Sequence, residues 1–138
     1  MTDVVNVMNK IYNIDKEKTV QGVEHIMGYN DKEEPMVLII AEAGNPEHSK
    51  AQRKYQKAIE KTRKDSPRAR QLWAKVVAEG ILKSWRGILD EDGNEVEPTM
   101  ENKVAALAGN ERFFSEVLSV ANEESYYRQE TDEETEKN

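Results

Sequence analysis

The 138-residue chain contains no cysteine. That excludes a disulfide framework, a thiolate metal site and a cysteine nucleophile. Histidine is nearly as scarce: His25 and His48 are the only two. They fall in different predicted elements with no ligand spacing between them, so neither a zinc site nor an imidazole base finds its constellation. Glycine-rich phosphate loops are missing, and Ser66, Ser84, Ser115, Ser119 and Ser125 lack the Gly-x-Ser-x-Gly context of a nucleophile elbow. Paired carboxylates are common, but none lies in the apolar setting that raises a pKa for acid–base work. The acidic run after Gly87 fails as a calcium loop. With Gly93 in the sixth position, the first and twelfth fall on Ile88 and Thr99, which are not usable ligands. No apolar run approaches membrane-spanning length, and the N-terminus has no basic-then-apolar signal pattern. The expectation is a soluble, cytoplasmic, non-catalytic protein with no cofactor and no metal.

Charge is plentiful, at 34% of residues, and unevenly placed. The net charge of −7 divides into +8 for 46–86, where twelve Lys/Arg meet four Asp/Glu, and −15 for the rest. Such a basic segment between acidic ends suits nucleic acid, or further copies of the chain and an acidic partner; the plain alternative is a set of solvated helix faces. Nucleic-acid stacking lacks its platform. Tyr55 is the one aromatic interrupting the basic run 46–64, and it falls on that helix's apolar stripe.

Residues 1–18 read two ways. Val4, Val7, Met8 and Ile11 make a helical stripe, while 11–14 alternate like a strand. Residues 19–27 and the apolar run 36–41 predict a β-hairpin. Asn45-Pro46 starts a helix reaching about Lys64, with a narrow buried stripe of Ala51, Tyr55, Ala58, Ile59 and Thr62. Ser66-Pro67 starts the most apolar helix, expected to run to Trp85 and close on Gly87 as a left-handed cap. It should lie at the centre, covered from several sides, with a polar strip of Arg68, Lys75, Glu79 and Arg86. Asp92-Gly93 then predicts a two-residue type I′ hairpin pairing Leu89 with Val96. Thr99 caps a short helix carrying Val104 and Leu107, with Met100 as a further candidate for its apolar face, and Asn110 caps a last one from Glu111 to about Arg128. The segment 129–138 holds five acids and nothing apolar, and is expected to be disordered. The expected fold is therefore α+β, mainly α: about four helices, a small N-terminal β-hairpin and a short acidic hairpin turn. One domain should cover 1–128.

The order of these signals resembles the tail assembly chaperones of long-tailed bacteriophages, in the short form encoded upstream of the tape measure protein. In that family a helix ends in a Trp-Gly-type step, followed by a turn of the kind Asp-Glu-x-Gly and a capped helix beginning x-Glu-Asn. Here the matching residues are Trp85, Gly87, Asp90, Glu91, Gly93, Thr99, Glu101 and Asn102. The resemblance covers about residues 40–128. It implies a mainly helical protein that binds the tape measure protein, keeps it soluble and self-associates along it. It also implies a tail tube partner recruited by a frameshifted extension, residence in the host cytoplasm and absence from the finished virion. No membrane partner is expected.

Indoles and phenols dominate interface hot spots, so the candidate partner-binding residues are Trp73, Trp85, Phe113, Phe114, Tyr126 and Tyr127. Core packing competes for at least one of the tryptophans. Trp85, at the expected helix end, is the one for which partial exposure is easier. Two other classes compete with the chaperone: a nucleic-acid-binding or regulatory protein using 46–86, and a head–tail structural component.

Overall fold

The computed structural model describes residues 2–129. Their order is α1 (Thr2–Tyr12), α2 (Lys16–Gln21), β1 (Val23–Tyr29), β2 (Pro35–Ile40), α3 (Pro46–Glu60), α4 (Pro67–Gly80), β3 (Leu82–Arg86), α5 (Met100–Gly109) and α6 (Glu111–Ala121), then a 3-10 turn over Glu124–Tyr127. The class is α+β and mainly helical, as expected. The four anticipated helices are α3 to α6, and two further ones, of 11 and 6 residues, precede the hairpin. The strand expected from Thr19 begins only at Val23. Asp15 caps α2 instead, its carboxylate accepting from the N–H groups of Glu17 and Lys18 at 3.0 and 3.3 Å.

The N-terminal hairpin supplies the first two strands of a three-stranded antiparallel sheet in the order β1-β2-β3. As the middle strand, β2 buries Val37, Leu38 and Ile40 almost completely. A central strand has ladder bonds on both sides, which is why this stretch is the chain's most apolar short run. The core lies between the sheet and α4, α5 and α6, and includes Leu38, Ile40, Val77, Ile81, Leu82, Trp85, Leu107 and Val117.

The largest departure from the sequence reading is at the end of α4. The helix does not reach Gly87; it stops at Gly80, and Leu82–Arg86 becomes β3. Pairing Ile40 with Leu82 and Leu38 with Trp85 gives β2 its second neighbour, a non-local gain invisible to helical periodicity. Lys103 from α5 helps terminate the helix. Its side chain is buried, and Nζ donates to the carbonyls of Ala78 and Leu82, both at 3.0 Å. Cations are favoured at a helix C-terminus, where carbonyls are left without intrahelical donors. Burial holds the Lys103 pKa below its ordinary value, an effect the charge of Glu79 partly opposes.

Gly87 does have the expected positive φ, +78°, but it turns the chain out of a strand rather than closing a helix. A Cβ there would sit 2.2 Å from the Pro35 carbonyl oxygen. The acidic turn is also a hairpin, one residue out of the expected register. Leu89 bridges Glu95 rather than Val96. Only Gly93 has positive φ, so type I′ geometry is not formed. Asp90 organises the loop instead, its carboxylate accepting from the N–H groups of Asp92 and Asn94, each at 2.9 Å.

The last helix is shorter than expected, ending at Ala121 rather than near Arg128. Glu123 then caps the 3-10 turn, and that turn carries Tyr127 into the interior, where its hydroxyl donates to the Ile40 carbonyl at 3.0 Å. Gln129, expected to open the tail, is bonded to Asn13: its N–H donates to the Asn13 carbonyl at 2.8 Å. The remainder of the expected tail, 130–138, lies outside the described residues.

Candidate partner-binding surface

The helical hairpin of α3 and α4 forms the scaffold of the surface. Asn45 and Ser66 cap its two helices, each followed by proline at the first position, an arrangement that fixes both starts. The stripe predicted on α3 is observed, with Ala51 buried and Tyr55, Ala58, Ile59 and Thr62 half-buried. The ends of the hairpin meet very closely. A Cβ on Gly80 would lie 2.3 Å from the His48 Cα, so only glycine permits the contact. Asn45, 5% exposed, fastens the same point. Its Oδ1 accepts from the N–H groups of Glu47 and His48, while Nδ2 donates to the carbonyls of Glu42 and Gly80. Part of the α4 polar strip faces α3. Glu79 pairs with Lys54 at 2.8 Å; burial pushes its carboxyl up, but Lys54, Tyr55 and Lys75 outweigh that and leave the pKa below its ordinary value.

On this scaffold the two tryptophans take the opposite roles to those the helical wheel favoured. Trp85 is the core residue, 6% exposed, with its indole N–H donating to the Val96 carbonyl at 2.7 Å. It reaches the core from β3, paired with Leu38 beyond an irregularity in the β2–β3 register that lets Leu82 and Trp85 both be buried. Trp73 is 43% exposed, although its neighbours Leu72 and Ala74 are buried. Its indole borders two adjacent hollows of about 500 Å³ each. The first is lined by Leu107, Phe114 and Leu118 with Lys64 and Arg70 at its rim. The second is formed with Ile59, Gln52 and Arg53 of α3. Together they make a channel with a ridge of indole and a margin of mixed charge, Arg53, Lys64 and Arg70 with Glu60 and Glu111.

Of the six candidates, Trp73 and Phe114 are therefore brought together. Phe113 is half-buried against the core. Tyr126 is exposed, but it borders a different, polar hollow of about 640 Å³ with His25, Arg112 and Glu116. Tyr127 is buried. The two histidines stay apart: His25 lies 3.7 Å from Glu116, whereas Nδ1 of His48 accepts from the Gly44 N–H. Sequence reasoning missed the contribution of Arg53, Ile59, Lys64 and Arg70. No period-two pattern over Ile81–Arg86 signalled the strand that buries Trp85.

Comparison with known proteins bears on the stretch that builds this surface. A family model described as YdaY prophage protein matches residues 41–138, which takes in α3 to α6 and β3. The chain belongs to the YdaY prophage protein family. Its origin is therefore phage. No curated protein and no solved structure matches it. The YdaY match begins at Ala41, just beyond β2, so the whole Trp73 channel lies inside it and α1, α2 and β1 lie before it. Among the described residues of this YdaY-family chain, no helix is long and apolar enough to cross a membrane.

Proposed function

We propose that this YdaY-family protein is a non-catalytic phage tail assembly chaperone. It binds the tape measure protein through the Trp73 channel and holds it soluble while tail tube subunits assemble around it. The observation that carries the reading is Trp73, a large indole left out of the core on the chain's most buried helix and bordered by apolar hollows. A long helix-forming target exposes apolar stripes that aggregate, and a groove with an aromatic anchor masks them by taking the stripe face-on. The mixed margin, Arg53, Lys64 and Arg70 with Glu60 and Glu111, favours a target whose stripe is flanked by charges of both signs. Several copies act along one target, in the host cytoplasm, and leave before the virion is complete. A frameshifted extension would add the tail tube contact.

The test is co-expression with the product of the long downstream reading frame, followed by pull-down. The long protein should be soluble only when this chain is present and should co-purify with it. Trp73→Ala should weaken the association by roughly 30-fold, the scale of a hot-spot indole, with the circular dichroism spectrum unchanged. No association, together with salt-sensitive DNA or RNA binding by this chain alone, would replace the chaperone with a nucleic-acid-binding protein acting through 46–86. Recovery of the chain from finished particles would make it a structural component.

A further inference from the structure

The first helix raises a question that the Trp73 channel does not answer. Val4, Val7, Met8 and Ile11 recur at the spacing of one helix face, and they are exposed at 61, 53, 49 and 66%. Nothing else among the described residues packs over them. An 11-residue helix is below the length that holds together alone in water, so this one requires cover. The acidic segment 130–138 contains no apolar residue to offer such a face. Behind the helix the chain is firmly held. The Asn13 side chain donates to the Gln129 carbonyl, Ile14 bridges Arg128, and the Asp15 N–H donates to the Tyr127 carbonyl. The helix is thus an arm with a fixed root and an uncovered apolar face.

We infer that α1 pairs with α1 of a second copy, antiparallel, about a two-fold axis crossing the stripe. The charges select this occupant and this direction. Asp3 and Lys10, the helix's two charged residues, are seven apart and so lie on the same flank of the stripe. In an antiparallel pair like flanks face each other, which sets Asp3 against Lys10 of the second copy, and Lys10 against its Asp3. A parallel pair places each of them beside Met8 and gains nothing from either charge. One short helix face is small beside standard interfaces, so the dimer is weak, with dissociation in the micromolar range or above. This gives the proposed self-association a surface, and it rests on that reading only for its purpose, because the channel and the arm are separate.

The experiment is sedimentation equilibrium of the full chain over a wide concentration range, with Met8→Asp and the charge variants Asp3→Lys and Lys10→Asp. Wild type should dimerise reversibly, and Met8→Asp should be monomeric with its core unfolding transition unchanged. Each charge variant alone sets like charges together twice and should weaken the dimer about tenfold. Asp3→Lys combined with Lys10→Asp should restore it. A monomer at every concentration, a dimer indifferent to Met8→Asp, or a double variant no tighter than the singles would each overturn the inference. Binding of the monomer to anionic phospholipid vesicles through α1 would do so as well. Loss of tape measure capture by Trp73→Ala with dimerisation intact, or the reverse, separates this inference from the proposed function.

Discussion

Replacing Asn45 tests whether one amide holds the α3–α4 hairpin together. Its side chain forms four hydrogen bonds, two as the cap of α3 and two as donor to the carbonyls of Glu42 and Gly80 at 2.6 and 2.9 Å. Asn45→Ala removes the cap, about 1 kcal/mol. It also leaves the buried Gly80 carbonyl without its side-chain donor, about 1–3 kcal/mol more. The total, roughly 2–4 kcal/mol, is a large share of the ~5–15 kcal/mol that holds a domain folded. Asn45→Ser keeps a good cap and loses the donors, so it should recover only the first part. Asn45→Asp is the sharper variant. A carboxylate caps well but has no N–H, and it would place negative charge against two carbonyl oxygens. It should be no more stable than alanine near neutral pH. Its deficit should shrink on acidification, because a protonated carboxyl donates again and its folded pKa is raised above the unfolded one. Urea unfolding followed by circular dichroism, with unchanged m-values, gives the comparison. If Asn45→Asp matched wild type at neutral pH, the two donated bonds would carry no weight and the reasoning would be wrong.

Two further predictions concern stability. Gly80→Ala should cost about 3 kcal/mol by forcing α3 away from α4, whereas Gly109→Ala, which meets nothing within 4 Å, should be neutral or slightly stabilising; thermal unfolding of the two variants side by side decides this. Burial pushes the Tyr127 hydroxyl far above its ordinary pKa, so above pH ~10 the unfolded chain loses that proton before the folded one does, and stability falls. Lys103 and Lys83, both with lowered pKa, act in the opposite direction just below that window. Tyr127→Phe should be weaker by about 1 kcal/mol at neutral pH through loss of the bond to Ile40, and its alkaline decline should be flatter, as urea midpoints from pH 8 to 11 would show.

The parts of the fold legible in the sequence are those set locally. Asn45-Pro46, Ser66-Pro67, Thr99 and Asn110 marked helix starts that the structure keeps, since a cap is a bond between residues two or three apart. The β1–β2 hairpin was legible from β-branched runs on either side of a polar loop. What escaped was set at long range. Leu82–Arg86 continues the apolar character of α4 and looks helical until β2 needs a second partner forty-odd residues earlier. The tryptophan roles followed that single error, because a wheel drawn through Trp85 spread the apolar face too widely and took in Trp73. The shortened α6 had the same origin: Tyr127 is drawn to the Ile40 carbonyl, 87 residues away. The channel itself was half legible, its aromatics visible and its charged margin lost in a segment already dense in charge.

The bonds joining 13–18 to 127–129 have a mechanical consequence. Lys18 Nζ also donates to the Arg128 carbonyl there, so the two strands of chain that leave the body run side by side in a short ladder. A pull applied between the two ends would load these bonds one after another, as a zipper is opened, rather than all together in shear. The ladder should yield at low force while the sheet stays closed. Its opening would also release two things at once, the aim of the N-terminal arm and the exit direction of whatever follows Gln129. Load on the chain at Gln129 and the position of the N-terminal helix would then be coupled through the same few hydrogen bonds.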